Sequence, residues 1–561
     1  MRKSLLLTFL LTASLPLLAK DRTPAEIRSI ALQTLQHAEG LNTRRAQSLT
    51  AGDLKVLHAD QSLTVMGRAD GQGFVIVTNN DDFQPVIGYA DGSFSTDTNH
   101  GLAWFVETAS RCIEAAQADG SARRAPVVPT TAPVEPLLTS VWNQGAPFNT
   151  LCPYEANGTH YPCGCVATAL GQIMYYHKYP QQGRGSKQYS FKPADGVGQL
   201  LSANFGETTY DWANMIDNYE GNYTEEQGNA VAQMVLHCGV SVEMNYTPTG
   251  SGAYSSEARN GLINYFTYNE NLGLFYRDYY SMEAWMDMIF TELNNGRPIY
   301  YAGADASRGG HAFVFDGYNA NGLVHVNWGW GSNGGNGYYD ISLLNPSGYS
   351  FSQGQDMILG IAKPTEAIEY QSHVVSPNAF SANVSKVGAS YYLTGTDIGT
   401  SLWNICGYAW AGSLGIVMEN DEHTYVLQER TVSTTAHRYN TLSNISESFK
   451  AAIKIPSDVA DGTYHIFVGS KDEHDKKWQL VRRSGGQTNS IVVEVKDGAV
   501  TSNGATSNDT WVPTAISDVR VSAESDAPAR YYDLQGRQVD ASARGVIIIK
   551  QGNTTRKELR R

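Results

Sequence analysis

The chain has 561 residues, of which 42% are hydrophobic and 17% charged, with 32 Tyr and 54 Gly. It is too long for one hydrophobic core and too apolar for disorder, so three or four folded units are expected. The 55 acidic and 41 basic side chains leave a net charge of -14, which lacks the clustered Lys and Arg a phosphate backbone requires and argues against a nucleic-acid partner. Six cysteines are too few for a disulfide scaffold in a chain of this length, although Cys152 and Cys163 could still form a bridge.

In chain order, Met1, Arg2 and Lys3 precede an apolar run from Ser4 to Leu18 and then Ala19, the layout of a secretory signal peptide over residues 1–19. The run is shorter than the ~20 residues of a spanning helix, and no later segment qualifies, so a secreted protein without a membrane span is expected. Thr23, Pro24 and Glu26 then form a capping-box start, with Ile27, Ile30, Ala31 and Leu35 at helical spacing. Short apolar runs between residues 54 and 94 predict strands, and a second helix runs through Trp104 to Ala116. Residues 20–124 therefore read as a small α+β unit. The pair Arg123–Arg124 leads into a proline-rich linker over residues 125–134 that proteases could reach.

Residues 135–364 mix long helical stretches with strands and hold the densest aromatic, glycine and histidine content. From 368 to 497 short β-type runs such as Ser390–Thr394, Tyr464–Val468 and Ser490–Val495 predict a β-sandwich. A Ser/Thr/Asn/Gly-rich stretch then reads as a linker over 498–515, and residues 516–561 as a small closing domain. There is no fixed-period repeat.

Chemistry concentrates in the central domain. Gly164 is followed by Cys165, and Ala169, Leu170, Ile173, Met174 and His177 share one helical face, so Cys165 is placed in the first turn of a mostly buried helix. Free backbone N–H groups and the helix dipole favour a thiolate there, and the thiolate is the attacking species; a small buried cysteine that only starts a core helix is the competing reading. A thiol nucleophile needs a histidine to take and return its proton. Of 13 histidines, His311 stands at a glycine-led strand start, Gly309-Gly-His-Ala-Phe-Val, where small residues leave an imidazole accessible. His177, His237 and His325 read as packing or surface residues.

Asn327 in His325-Val-Asn-Trp-Gly-Trp could orient that imidazole, and Trp328 could shield it. Strand alternation prevents both from pointing the same way without a bulge. Gln144 in Trp142-Asn-Gln could join the Cys165 N–H in holding an oxyanion.

These segments, with Gly239-Val-Ser-Val-Glu-Met244 and Tyr176-His-Lys-Tyr-Pro180, resemble the streptopain family of papain-like cysteine peptidases over residues 140–364. The spacing of 146 residues, 311 minus 165, falls within the ~130–150 of papain-like enzymes. The resemblance implies a papain-like catalytic domain in an α+β chain, with a small α+β inhibitory prodomain before it and a β-sandwich C-terminal region after it. It implies Cys165 as nucleophile, His311 as proton acceptor, Gln144 as oxyanion donor and Trp328 as a cover for the histidine. Residues 20–124 become an inhibitory propeptide acting within its own chain, and the substrates proteins or peptides.

The family's preference for a bulky apolar residue two positions before the cut implies a pocket in Val240–Tyr254, with Val240, Met244, Gly250, Ser251 and Gly252 as candidates. The C-terminal third departs from the short family members and is similar to extensions of Bacteroidetes-type surface enzymes, with 516–561 resembling a sorting domain read by outer-membrane secretion machinery. No metal or organic cofactor is implied, since His160, Cys163 and Cys165 lack a fourth ligand at finger-like spacing. A transglutaminase-type acyl transferase and an inactive adhesin-like binding protein on the same fold are the other classes open to this sequence.

Overall fold

The computed structural model describes residues 20–38, 49–119, 127–192, 198–305, 309–344 and 354–368. Beyond these it describes the segments 374–376, 378–395, 402–405, 410–433, 440–441, 452–473, 477–484, 489–506, 519–521, 530–532, 538–540, 545–551 and 554–560, with a few single positions between them. The expected signal peptide, Arg123–Arg124 and Cys406 lie outside the described residues. In chain order the elements are helix α1 (Pro24–His37), strands β1 (Leu54–Ala59), β2 (Leu63–Arg68), β3 (Phe74–Thr78) and β4 (Val86–Ala90), and helices α2 (His100–Asp119) and α3 (Cys165–His177). Next come β5 (Ser186–Phe191), β6 (Gln199–Asn204), α4 (Glu225–Ser241), α5 (Ser255–Asn264), β7 (Gly273–Tyr276), α6 (Met282–Asn294), β8 (Ile299–Asp305), β9 (Gly309–Tyr318), β10 (Val324–Asn327), β11 (Gly337–Tyr339) and β12 (Gln355–Leu359).

The chain forms two compact units, one of residues 1–136 with 315–351 and one of 137–314 with 352–561, so that β9 contributes its first residues to the second unit and its last to the first. In the first unit, α1 begins at the predicted capping box: Thr23 Oγ1 accepts from the Glu26 N–H at 3.3 Å, and the Thr23 N–H donates to Glu26 Oε2 at 2.6 Å. Its buried face of Ile27, Ala31 and Leu35 packs on Val75 and Val77 of β3, which is buried along its whole length.

Strands β1 to β4 run antiparallel in sequence order, and β4 pairs antiparallel with β11 at Gly88↔Tyr339, Tyr89↔Tyr338 and Ala90↔Gly337. Glycine permits this approach: a Cβ on Gly337 would lie 2.2 Å from the Tyr89 carbonyl. Helix α2 starts four residues before the expected Trp104, because Asn99 Oδ1 accepts from the Leu102 N–H at 2.9 Å and caps it. The Asn99 amide also donates to the Gly334 carbonyl at 2.6 Å, and Phe105 sits edge-on to Tyr339 at 5.0 Å.

In the second unit, strands follow the order β9, β8, β12, β7, with β12 antiparallel to both β8 (Asp356↔Ala302) and β7 (Asp356↔Tyr276). One face carries Ala312, Val314, Tyr300, Ile358 and Leu274 into a core with Leu170, Ile173 and Met174 of α3 and Val231, Met234 and Val235 of α4. Helix α3 is buried at 11 positions, so its sequence is apolar nearly all round instead of striped. Helix α4 starts at a second capping box, Thr224 with Gln227.

C-terminal to this domain, Gly412–Glu419, Thr424–Val432, Gly462–Lys471 and Ser490–Lys496 pair antiparallel in one sheet, and Asn383–Val387, Ser390–Thr394 and Ala452–Ile455 form a second. Leu393, Ile453 and Ile455 share a core with Leu414, Ile416, Ile466 and Val493, so the expected sandwich is present. The boundaries expected after it are corrected. Residues 498–515 are not a linker throughout: Ala499–Thr506 is a strand returning on Ser490–Lys496 through Asp497 (φ 49°) and Gly498 (φ 74°). Left-handed backbone at both positions makes the type I′ turn that matches strand twist. Val519–Val521, assigned to the closing domain, pairs in parallel with Thr424–Val426 of the sandwich. Arg530–Tyr532, Gln538–Val539, Gly545–Gln551 and Thr554–Arg560 form a separate small sheet.

Candidate active site

The site in the second unit is assembled by the loop entering α3 and the first residues of β9. Gly164 precedes the helix at φ 93°, and a Cβ there would lie 2.8 Å from both Met244 Sδ and Cε and 2.9 Å from the Ser251 carbonyl. Only glycine combines that backbone conformation with that proximity. The Gly164 carbonyl then accepts from the Thr168 N–H at 3.0 Å and its hydroxyl at 3.1 Å, closing the first turn around Cys165.

Cys165 is buried, and the backbone N–H groups of Ala312 and Val166, with its own, act electrostatically on its thiol. Burial dominates and holds the thiol pKa above the ordinary value, while those three donors, Ala312 first, pull it down. The donors act in the direction expected of a helix N-terminus, towards the thiolate, and desolvation opposes them. Desolvation likewise pushes Cys112 and Cys152 up to about 12. The possible Cys152–Cys163 bridge is not formed; both thiols are free and buried. Cys163 Sγ lies 3.4 Å from Thr168 Oγ1, and His160 Nδ1 is 2.6 Å from the Cys152 carbonyl, so the residues weighed as a metal cluster are engaged separately.

His311 is buried on β9 and covalently adjacent to Ala312, whose N–H reaches the Cys165 thiol; its ring stacks on Phe313 at 6.0 Å. Gln144 joins through its backbone, its carbonyl accepting from the Cys163 N–H at 3.1 Å, and is buried. Gln172, inside α3, sets that segment: its Oε1 accepts from Ser140 Oγ at 3.1 Å and from the Trp142 N–H at 3.2 Å, tying the residues before Gln144 to the nucleophile helix. A glutamine inside an apolar helix was the available signal.

Of the pocket candidates, Met244 and Ser251 are brought to the nucleophile loop. Ser251 Oγ donates to the Pro162 carbonyl at 2.7 Å, and Gly252 pairs with Asn245. Val240 is fully buried in α4, and Gly250 has nothing within 4 Å of a Cβ position. Asn327 and Trp328 belong to the first unit. There the Asn327 Oδ1 accepts from the Gly329 N–H at 3.1 Å, and the backbone N–H of buried Trp328 donates to Asn336 Oδ1 at 2.9 Å, its ring lying edge-on to Tyr339 at 5.2 Å.

The three histidines read as packing or surface residues are held by neighbours: His237 Nδ1 is 3.0 Å from Tyr210 Oη, His177 Nδ1 is 3.1 Å from Tyr268 Oη, and His325 Nδ1 is 2.6 Å from Asp316. Burial lowers His177 and His237 to about 4. No helix among the described residues is long and apolar enough to cross a membrane.

A thiol at a helix N-terminus, backbone donors around it and a histidine beside one of them define a thiol-peptidase type of centre. Comparison with known proteins agrees: residues 142–339 match the Peptidase C10 family, and residues 19–113 match Spi protease inhibitor. The chain is 33% identical to streptopain of Streptococcus pyogenes over 49% of its own length and 73% of streptopain. It is 34% identical to the thiol protease/hemagglutinin PrtT of Porphyromonas gingivalis over 53% of its length, a match spanning 36% of PrtT. A prointerpain A fragment of Prevotella intermedia is similar in structure at a TM-score of 0.51 and 42% identity, covering 55% of this chain and 98% of the fragment. The chain belongs to the Peptidase C10 family: its central domain is a papain-like cysteine peptidase domain preceded by an inhibitor-like prodomain.

Proposed function

We propose that the whole protein is a secreted cysteine endopeptidase made as a zymogen, with Cys165 as nucleophile, His311 as proton acceptor and donor, and Gln144 with the Cys165 N–H as the oxyanion site. The single observation that carries this is the Ala312 N–H at the Cys165 thiol, which puts the residue after His311 at the nucleophile. The thiolate adds to the scissile carbonyl, the oxyanion is held by the two donors, and the imidazolium protonates the leaving amine before activating water for deacylation. Trp328 keeps the covering role that the family resemblance implies, and Asn327 the orienting role read from its side-chain amide. Met244 and Ser251, packed at Gly164, support a pocket beside Cys165 that takes a bulky apolar side chain two residues before the cut, with proteins and peptides as substrates.

Residues 20–124 act as the inhibitor of their own chain. In support, β4 adds a strand to β11, and Asn99 and Ser93 bond the carbonyls of Gly334 and Asn333. Cleavage in the 125–134 region, or at the adjacent Arg123–Arg124, releases it, and the C-terminal segment 516–561 serves outer-membrane export. The test is hydrolysis of casein under reducing conditions by the precursor and by protein cut before residue 135. Activity in the cut form alone is expected; equal activity in both overturns the zymogen reading.

A further inference from the structure

The face of the sheet that packs on α3 also carries a carboxylate with no part in the chemistry above. Asp356 stands on β12, directly across from Ala302 of β8 and Tyr276 of β7, and shares its face with Ile358, Tyr300 and Ala312. Ala312 donates to the nucleophile from β9, and β8 lies between β9 and β12, so Asp356 sits two strand spacings, about 10 Å, across the face from it. Its neighbour on the β8 side is Ala302, whose side chain is a single methyl group.

The residue is half-buried, but its Oδ1 is out of solvent and has no hydrogen-bond partner, and so is the hydroxyl of Ser256 in the first turn of α5. Ser255, next to it, bonds the Asp356 carboxyl and lies 3.3 Å from Tyr300 Oη, and the Tyr300 hydroxyl feels both the Asp356 carboxylate and the Cys165 thiol.

The groups around Asp356 are neutral. Tyr300 and Tyr276 face it from β8 and β7, Ser255 and Ser256 from α5, and among the described residues no Lys, Arg or His makes an ion pair with it. Arg259 of α5 bonds the Leu272 and Glu270 carbonyls, and Arg277, after β7, bonds the Tyr280 carbonyl. A buried acceptor without a partner is costly, and a carboxylate far more so, unless a donor arrives from outside.

We infer that Asp356 is a specificity-determining residue at the end of the pocket beside Cys165, where it receives the cationic tip of a lysine or arginine at the second position before the cut. This rests on the peptidase reading and deepens it. The aliphatic stem of such a side chain satisfies the same apolar walls as leucine, while its ammonium or guanidinium reaches the carboxylate. Burial raises the Asp356 pKa to about 7, so the site is neutral in mild acid and anionic in mild alkali, and one pocket serves apolar side chains throughout and basic ones as pH rises.

The test uses the matured enzyme and three peptides identical except for leucine, arginine or citrulline at that position, with kcat/KM measured at pH 5.5 and 8.5. Citrulline has arginine's shape without its charge, so the arginine-to-citrulline ratio isolates the charge and cancels the ionisation of Cys165 and His311. That ratio is expected to rise about tenfold between the two pH values in the wild type, one pKa unit of coupling, and to be flat in both Asp356→Asn and Asp356→Ser. The leucine peptide references the folded, active fraction of each variant. A wild-type ratio that does not change with pH, or one that changes equally in the two variants, overturns the role of Asp356 while leaving the peptidase reading intact. If the wild type cuts none of the three peptides, the peptidase reading falls and this inference with it.

Discussion

Gly164 and Met244 meet so closely that a Cβ on the glycine would lie 2.8 Å from the methionine sulfur, and the backbone of Gly164 has φ 93°. Both constraints act on the residue before the nucleophile. Gly164→Ala is expected to lower kcat/KM at least about 100-fold, because a displacement near 1 Å at the attacking atom is enough to do so. Adding Met244→Ala relieves one contact but neither the Ser251 carbonyl at 2.9 Å nor the left-handed backbone, so little activity should return. Steady-state kinetics on both variants check this; full activity in Gly164→Ala would refute it.

Gln144 is expected to matter in the transition state more than in binding. Gln144→Ala should lower kcat about 100-fold to 1,000-fold, as the loss of one oxyanion donor does elsewhere, with little change in KM. Alkylation of Cys165 by a small electrophile, which forms no oxyanion, should keep its rate. A parallel loss in both reactions would mean that the substitution had disturbed the loop through the Gln144 carbonyl and Cys163, not the oxyanion.

The β4–β11 pairing offers a direct handle on latency. A Cβ on Gly88 would lie 2.8 Å from the Tyr339 ring, so Gly88→Val should loosen the prodomain strand. The precursor carrying it should hydrolyse peptide and mature faster than the wild-type precursor. An isolated prodomain, residues 20–124, added to matured enzyme should inhibit it, and the Gly88→Val prodomain should inhibit at least about tenfold more weakly, about 1.4 kcal/mol.

Acid should weaken the central domain through His237. Burial beside Tyr210 holds its pKa at about 4, below an unfolded value near 6.5. The folded state binds fewer protons in that window, so stability is intact above about 6.5 and falls as pH drops through 4. The loss is on the order of 2 to 3 kcal/mol. Chemical unfolding of Cys165→Ala protein between pH 8 and 4 measures it, and His237→Gln should flatten that part of the curve.

Much of this organisation is legible in the sequence wherever a local rule has a local cause. The capping box at Thr23 and Glu26 locates α1 because both partners lie within one turn. Cys165, His311 and Gln144 were singled out because each sits in a short segment with its own signature. What escaped is long-range or compositional. Asp356 is a lone acid on a strand, and its proximity to Tyr300 and Ser255 arises only from the pairing of β12 with β8 and the packing of α5. Gln172 acts through Ser140 and Trp142, some thirty residues away. The Asp497–Gly498 turn is obscured by the Ser/Thr/Asn/Gly content after it, which reads as a spacer, although an Asp-Gly pair between alternating valines is a strong hairpin signal. The thiol pKa of Cys165 could not be read at all, since burial and the Ala312 donor are both tertiary.

The most direct test compares casein and peptide hydrolysis by wild-type and Cys165→Ala protein under reducing conditions, with an alkylating inhibitor as a parallel control. The account predicts that the variant folds, accumulates as uncut precursor and has no measurable activity, and that alkylation reduces the wild type to the same level. Continued hydrolysis by Cys165→Ala would contradict it and leave the thiol, with its Ala312 donor and neighbouring His311, as part of the structure only.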